Sequence, residues 1–134
     1  GYYDYDENRV GSPSKETEEV IASITGAKKG NFSTEEITEM LIFPMINEAV
    51  RVLEENKAQR PSDIDVIWLF GYGWPKNKGG LMYYADAIGA KSILKSLQKL
   101  AEDDHELVIS ELLIKMAQND DKFLDINTGG LIAT

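Results

Sequence analysis

Between residues 33 and 118 apolar side chains return at three- and four-residue steps, with no convincing run of strict alternation, and that period predicts helices. The clearest start is Ser33-Thr34-Glu35-Glu36, a capping box with the acid three residues after the capping hydroxyl, and Phe32 and Ile37 are spaced as a hydrophobic staple. A long core helix is expected from Thr34. Along it Ile37, Leu41, Met45, Glu48 and Val52, with their neighbours Ile42, Ile46, Ala49 and Leu53, form a stripe wide enough to bury two sides. Pro44 lacks the N–H that would reach Met40, so a bend is expected there, at a cost of about 3 kcal/mol relative to Ala in a straight helix. The end is expected to fray through Glu54-Glu55-Asn56-Lys57.

The flanking segments are read the same way. Residues 1 to 14 mix Gly, Tyr, Asp, Asn and Ser without period and suggest an extended arm or the end of a preceding repeat, leaving 15 to 134 as the helical domain. Ser12-Pro13 supplies a cap and a first-turn proline for a short helix with Val20, Ile21 and Ile24 on one face, stopping near Gly26 and leaving through Lys28-Lys29-Gly30. Arg60-Pro61-Ser62 opens another, with Ser62 as cap and Asp63 and Asp65 in its dipole-favoured first turn. Leu81, Tyr84, Ala85 and Ile88 predict a helix ending at Gly89, and Ile93, Leu94, Leu97 and Leu100 predict one starting near Ala90. After the polar break Asp103-Asp104-His105-Glu106, Leu112, Leu113, Met116 and Ala117 face inward on a last helix, from Glu111 to Gln118. The expected fold is all-α: one helical domain of about five to seven helices.

Composition narrows the function. At 134 residues and 43% apolar content the chain can close one core. Fourteen basic against twenty-three acidic residues give a charge of −9, which argues against nucleic acid as a partner. Cysteine is absent, so no disulfide forms, and one histidine is a poor basis for zinc. The apolar runs fall short of the roughly 20 residues of a membrane span. Gly1-Tyr2-Tyr3-Asp4-Tyr5-Asp6 is no leader peptide, an opening on Gly reads as excised, and Leu131-Ile132-Ala133-Thr134 carries no retrieval signal.

The candidate chemistry is sparse. Gly71-Tyr72-Gly73-Trp74-Pro75-Lys76-Asn77-Lys78-Gly79-Gly80 is the one irregular stretch rich in glycine and aromatics. It is suited to holding rings between helices, or alternatively to stacking a flat group such as adenine between Tyr72 and Trp74. Packing is favoured. Lys76 and Lys78 could meet a phosphate, though exposed lysines are commonly solubilising charges. His105 reads as a solvated residue. Glu39 and Glu48 are nine positions apart, roughly 13 Å along a helix, too far to share a proton. For Glu48 a hydrogen bond to neighbouring backbone or loop is the favoured role.

Two stretches together resemble one family. Ile37 through Glu55 followed by Arg60-Pro61-Ser62-Asp63-Ile64-Asp65 is similar to the helix pair that opens the C-terminal domain of 3-hydroxyacyl-CoA dehydrogenases. Gly71 to Pro75, Gly79-Gly80 and Met82-Tyr83-Tyr84-Ala85-Asp86 resemble the second of two such domains in multifunctional fatty-acid β-oxidation proteins, and Gly1 to Asp6 resembles the end of the first. The resemblance implies a parent that oxidises 3-hydroxyacyl-CoA with NAD, cytoplasmic in a bacterium and peroxisomal in a eukaryote. It also implies that the catalytic histidine, its glutamate and the dinucleotide turn lie upstream. This chain is then expected to hold no catalytic, cofactor or metal residue and to be inactive alone. It departs from the family by having Glu39 where the catalytic repeat has asparagine and Leu81 where many relatives have proline. The implied role is docking to the first repeat and the Rossmann domain, with self-association possible for the isolated chain. Candidate interface or acyl-CoA-side residues are Glu39, Glu48, Gly71, Tyr72, Gly73, Trp74, Pro75, Gly79, Gly80, Tyr83 and Tyr84. The alternative is a free-standing acyl-CoA-binding module.

Overall fold

The computed structural model describes residues 1–26 and 30–126. Lys28 and Lys29 and the terminal Leu131–Thr134, discussed above, lie outside the described residues. The chain divides into two compact units, Gly1–Ser33 and Thr34–Thr134.

In the first unit two short strands, β1 (Tyr3–Tyr5) and β2 (Gly11–Pro13), pair antiparallel with Tyr3 opposite Pro13 and Tyr5 opposite Gly11. The aperiodic arm is therefore a small hairpin. Its turn is built by Asp6, whose carboxylate accepts from the N–H of Asn8 at 2.9 Å and of Val10 at 2.8 Å, while Arg9 takes a left-handed φ of 62°. Three-residue strands are too short for alternation to show in the sequence. Helix α1 (Lys15–Thr25) starts two residues later than Ser12-Pro13 suggested, with Ser14 as cap, because Ser12 and Pro13 belong to β2. A two-stranded ribbon consists of edges, so it tolerates the missing proline N–H. Gly26 closes α1 in the left-handed conformation, and no residue of the helix is buried.

The second unit carries the core. Helix α2 (Thr34–Glu54) begins where the capping box places it and runs through Pro44 unbroken. Helices α3 (Pro61–Gly71), α4 (Leu81–Ile88), α5 (Ala90–Asp103) and α6 (Glu111–Asn119) follow, with 3-10 turns at Lys76–Lys78 and Phe123–Asp125. The six helices agree with the all-α expectation. Ile46, Val50 and Leu53 of α2 meet Leu81 and Met82 of α4, Ile93 and Leu97 of α5, and Leu113 of α6 in one core. Phe123, fully buried, completes it.

Three local readings are corrected. Only one side of α2 is buried in this chain, because Ile37, Leu41 and Met45 remain exposed. The end of α2 does not fray. Lys57 N–H reaches Val52 O at 2.9 Å and Asn56 N–H reaches Leu53 O at 3.0 Å, with Asn56 at φ 56°, which is a Schellman closure with asparagine in the left-handed place. Helix α3 is capped at Arg60, with Pro61 in its first turn and Ser62 inside the helix. The Arg60 guanidinium then pairs with Asp63 at 2.8 Å.

Helix α6 is anchored by side chains of α2. Asn47, only 2% exposed, donates through Nδ2 to Val108 O at 2.8 Å and accepts the Ser110 N–H at 2.9 Å. Glu54 accepts from Ser110 Oγ at 2.8 Å and from Leu112 N–H at 3.2 Å, while Ser110 Oγ itself accepts the Leu113 N–H. The first-turn donors of α6 are thus met by groups from two elements. Asn47→Ala should lower stability by about 2–3 kcal/mol, since it orphans two backbone groups beside buried Ser110. Asn56→Ala should lower it by about 1 kcal/mol, whereas Asn56→Gly should be neutral or slightly stabilising. Urea denaturation of the three variants checks both expectations.

Candidate functional site

The glycine–aromatic stretch is where α3 hands the chain to α4. Past Gly71 the chain folds back, so that the Trp74 N–H donates to Trp68 O at 3.1 Å, and Gly73 takes a positive φ of 69° to allow it. This turn lines up four rings. Trp68 lies 5.3 Å from Tyr72 and 5.4 Å from Trp74, the latter at 88°, and Trp74 lies 5.6 Å from Tyr84 at 69°. The proposed slot between Tyr72 and Trp74 is thus filled by Trp68, and no space remains there for adenine. Offset and edge-on contacts of this kind add about 0.5–1.5 kcal/mol each beyond burial. Among the described residues Trp74 Nε1 is buried without a hydrogen-bond acceptor.

Gly79 and Gly80 have a different task. The α4 N-terminus is capped from α3: the Asp65 carboxylate accepts from the Met82 N–H at 2.6 Å and the Tyr83 N–H at 3.3 Å. A Cβ on Gly80 would lie 2.1 Å from the Asp65 carboxyl carbon, so glycine is required for the carboxylate to come this close. A Cβ on Gly79, whose φ is 69°, would strike the Tyr83 ring at 2.4 Å. Asp65 therefore serves the dipole of the next helix, not that of its own. Asp86 continues the pattern, accepting the N–H groups of Phe123 and Leu124 and holding Phe123 in the core.

The acids singled out in the sequence are placed apart. Glu39 accepts from Ser96 Oγ at 2.8 Å and ties α2 to α5. Glu48 does not reach backbone or loop; it is exposed and pairs with Arg51 at 3.0 Å, one turn along its own helix, where water can solvate both groups. His105 is exposed in the break after α5. Among the described residues no group of three or more His, Asp or Glu side chains could hold a metal ion, and no helix is long and apolar enough to cross a membrane.

Two concave surfaces adjoin the four rings. A cavity of about 560 Å³ lies between the first turns of α2 and the glycine–aromatic turn, with Phe43, Trp74 and Tyr84 on its walls and Glu35, Glu39 and Lys78 among its polar groups. Lys78 Nζ stands 6.0 Å from the centre of the Tyr84 ring. The other surface is a groove of about 350 Å³ between α2 and α3, lined by Met45, Ala49, Val52, Ile67, Trp68 and Tyr72 with Glu48 at its rim. Around it the surface stays apolar, with Ile67 55%, Phe70 78% and Tyr72 72% exposed. Contiguous patches of this kind usually mark an interaction surface.

A dinucleotide does not fit the glycine turn. Its pyrophosphate would need the N–H-rich start of a helix, and Gly71-Tyr72-Gly73 stands at the end of α3, where carbonyl groups and the negative pole of the dipole face outward. The element that leads into it is helix α3, not the strand of a nucleotide-binding βα turn.

Comparison with known proteins bears on this arrangement. The family described as 3-hydroxyacyl-CoA dehydrogenase, C-terminal domain, matches residues 37–123, which span α2 to the buried Phe123. The chain belongs to this family. It is 40% identical over 106 residues to the glyoxysomal fatty acid beta-oxidation multifunctional protein MFP-a of Brassica napus, covering 74% of this chain and 15% of that protein. It is 36% identical over 125 residues to the peroxisomal bifunctional enzyme of Homo sapiens, covering 87% of this chain and 17% of that one. A rice relative, the peroxisomal fatty acid beta-oxidation multifunctional protein of Oryza sativa, is 38% identical over 109 residues, or 76% of this chain. The chain thus spans about 15% of the length of the B. napus and rice relatives. In those two relatives the matching region is a small part of a much longer chain.

Sequence reasoning named Gly79, Gly80, Tyr83 and Tyr84 as candidates but gave no such place to Asp65, which takes the Tyr83 N–H, or to Asp86, which holds Phe123 and Leu124. A faint signal existed: Asp86 is the single charge in the apolar helix Leu81–Ile88. Gly80→Ala should destabilise the domain by about 1–3 kcal/mol through the forced approach to Asp65. In an Asp65→Ala background the same change should cost much less, since the obstructing carboxyl is gone. A double-mutant cycle by urea denaturation measures the coupling, and strict additivity would show that Gly80 is not there for Asp65.

Proposed function

We propose that this domain is the second C-terminal helical repeat of its parent, and that it works by docking. Its α2–α3 face is buried against the first repeat and supports the acyl-CoA side of the Rossmann-containing dehydrogenase. The observation that carries this reading is the uncovered apolar face of Met45, Ile67, Phe70 and Tyr72, on a domain whose own core is already closed. The parent is then an NAD-dependent enzyme that removes a hydride from C3 of a 3-hydroxyacyl-CoA and a proton from its hydroxyl, giving the 3-oxoacyl-CoA. The histidine and glutamate for that step belong to the upstream domain. The named relatives being peroxisomal or glyoxysomal, the parent of a eukaryotic chain is peroxisomal, and that of a bacterial one cytoplasmic. Glu39, engaged with Ser96, takes a structural place here.

A second reading gives the isolated chain an acyl-CoA site of its own. It is favoured by the 560 Å³ cavity, where Lys78 faces aromatic walls, but Glu35 and Glu39 on the same walls oppose the phosphates of CoA. Calorimetric titration with an acyl-CoA separates the two, because docking requires no affinity in the isolated chain and a binding module requires saturable heat.

The docking surface is tested by Met45→Glu and Ile67→Glu. Each should leave the stability of the isolated chain within about 0.5 kcal/mol, since both side chains are exposed. Each should weaken association with the upstream domains at least about tenfold, because a lone charge would be buried at the contact. Unchanged affinity in both variants would remove this face from the interface.

A further inference from the structure

We propose that the cavity between the first turns of α2 and the glycine–aromatic turn receives an arginine side chain presented by a partner protein. The site goes beyond the docking face and does not depend on it, because this cavity and the α2–α3 groove share no lining residue. Phe43, Trp74 and Tyr84 stand on the walls of its 560 Å³. Lys78 Nζ lies over the Tyr84 ring at 6.0 Å from the centre, the outer limit at which an aromatic face attracts a cation. That face is already turned toward positive charge.

Two carboxylates line the same space. Glu35 and Glu39 are four residues apart on α2, so they stand side by side, one turn from each other. Ser96 Oγ donates to Oε2 of Glu39, and among the described residues no donor reaches its Oε1. No described lysine or arginine lies within ion-pair distance of either acid, Lys78 included. Thr38 Oγ1 donates to Thr34 O at 2.8 Å, which leaves its own lone pairs as acceptors. The lining is therefore rich in acceptors, and two carboxylates against one ammonium leave it negative.

An arginine answers each of these features. Its guanidinium is planar, so it can lie flat on an aromatic face while its edge forks onto a carboxylate, and it sheds water more readily than an ammonium. Its methylene stem suits Ile42, Phe43 and Ile88, which are apolar walls of the cavity. An anionic ligand would meet Glu35 and Glu39 instead, and a neutral apolar one would leave both charges uncompensated.

NMR titration of the 134-residue chain with N-acetyl-arginine methylamide tests the site, with the uncharged citrulline counterpart as control. The arginine probe should give saturable shifts at the Trp74 and Tyr84 rings and along residues 35–43, and the citrulline probe none. Glu35→Gln should weaken binding at least about threefold, and Lys78→Ala, which frees the Tyr84 face, should tighten it about twofold. Both residues are exposed, so both variants keep the fold. Absence of saturation up to about 50 mM, equal binding of citrulline, or unchanged affinity in Glu35→Gln overturns the proposal. Weaker binding in Lys78→Ala overturns it too, since that is how a site for anions behaves. Tighter binding of free arginine than of the blocked probe would mark a small-molecule site and overturn the part given to a partner protein.

Discussion

The constraint on which the second unit depends is the supply of acceptors to helix starts. Short helices joined by tight turns leave their first N–H groups facing neighbouring elements instead of open water, and each orphaned donor costs about 1–3 kcal/mol. Here the acceptor comes from a different helix each time: Asp65 of α3 for α4, Asp86 of α4 for the Phe123 turn, and Asn47 and Glu54 of α2 for α6. Each bond fixes the angle and register of two elements at once. Hydrophobic burial gives the core its energy, but these bonds define which packing is adopted. They also account for Gly80, since a carboxylate that must reach a backbone N–H needs a position without a Cβ beside it.

That division explains what the sequence discloses. Period and punctuation act within one helix, so the start at Thr34, the break at Gly89 and the inward face of Leu113, Met116 and Ala117 are all legible in one dimension. Contacts between helices are not. Asp65 reads as a first-turn acid of α3, and only the folded chain reveals that it serves α4. Phe123 follows an acidic stretch that reads as an ending, yet Asp86 draws it into the core. The aromatics of Tyr72 and Trp74 were visible as a cluster, but that Trp68 would come back between them depends on the turn at Gly73. The stripe on α2 is wide enough to bury two sides, and within this chain only one of them is covered.

The same surface connects fold to function. The named relatives are much longer than this chain, and the face of α2 and α3 is where its apolar surface is left uncovered. Helix α5, by contrast, exposes Lys91, Lys95 and Lys99, with Lys91 paired to Asp120 of the α6 end. The hydroxyl of Ser96 donates to Glu39 and ties α5 to α2.

Amide hydrogen–deuterium exchange of this chain, with and without the upstream domains of its parent, tests the central claim most directly. Docking through the apolar face requires new protection in 45–52 and 64–72, with α5 unchanged. Protection confined to the cavity walls at 34–43 and 74–88, or none at all, would contradict it.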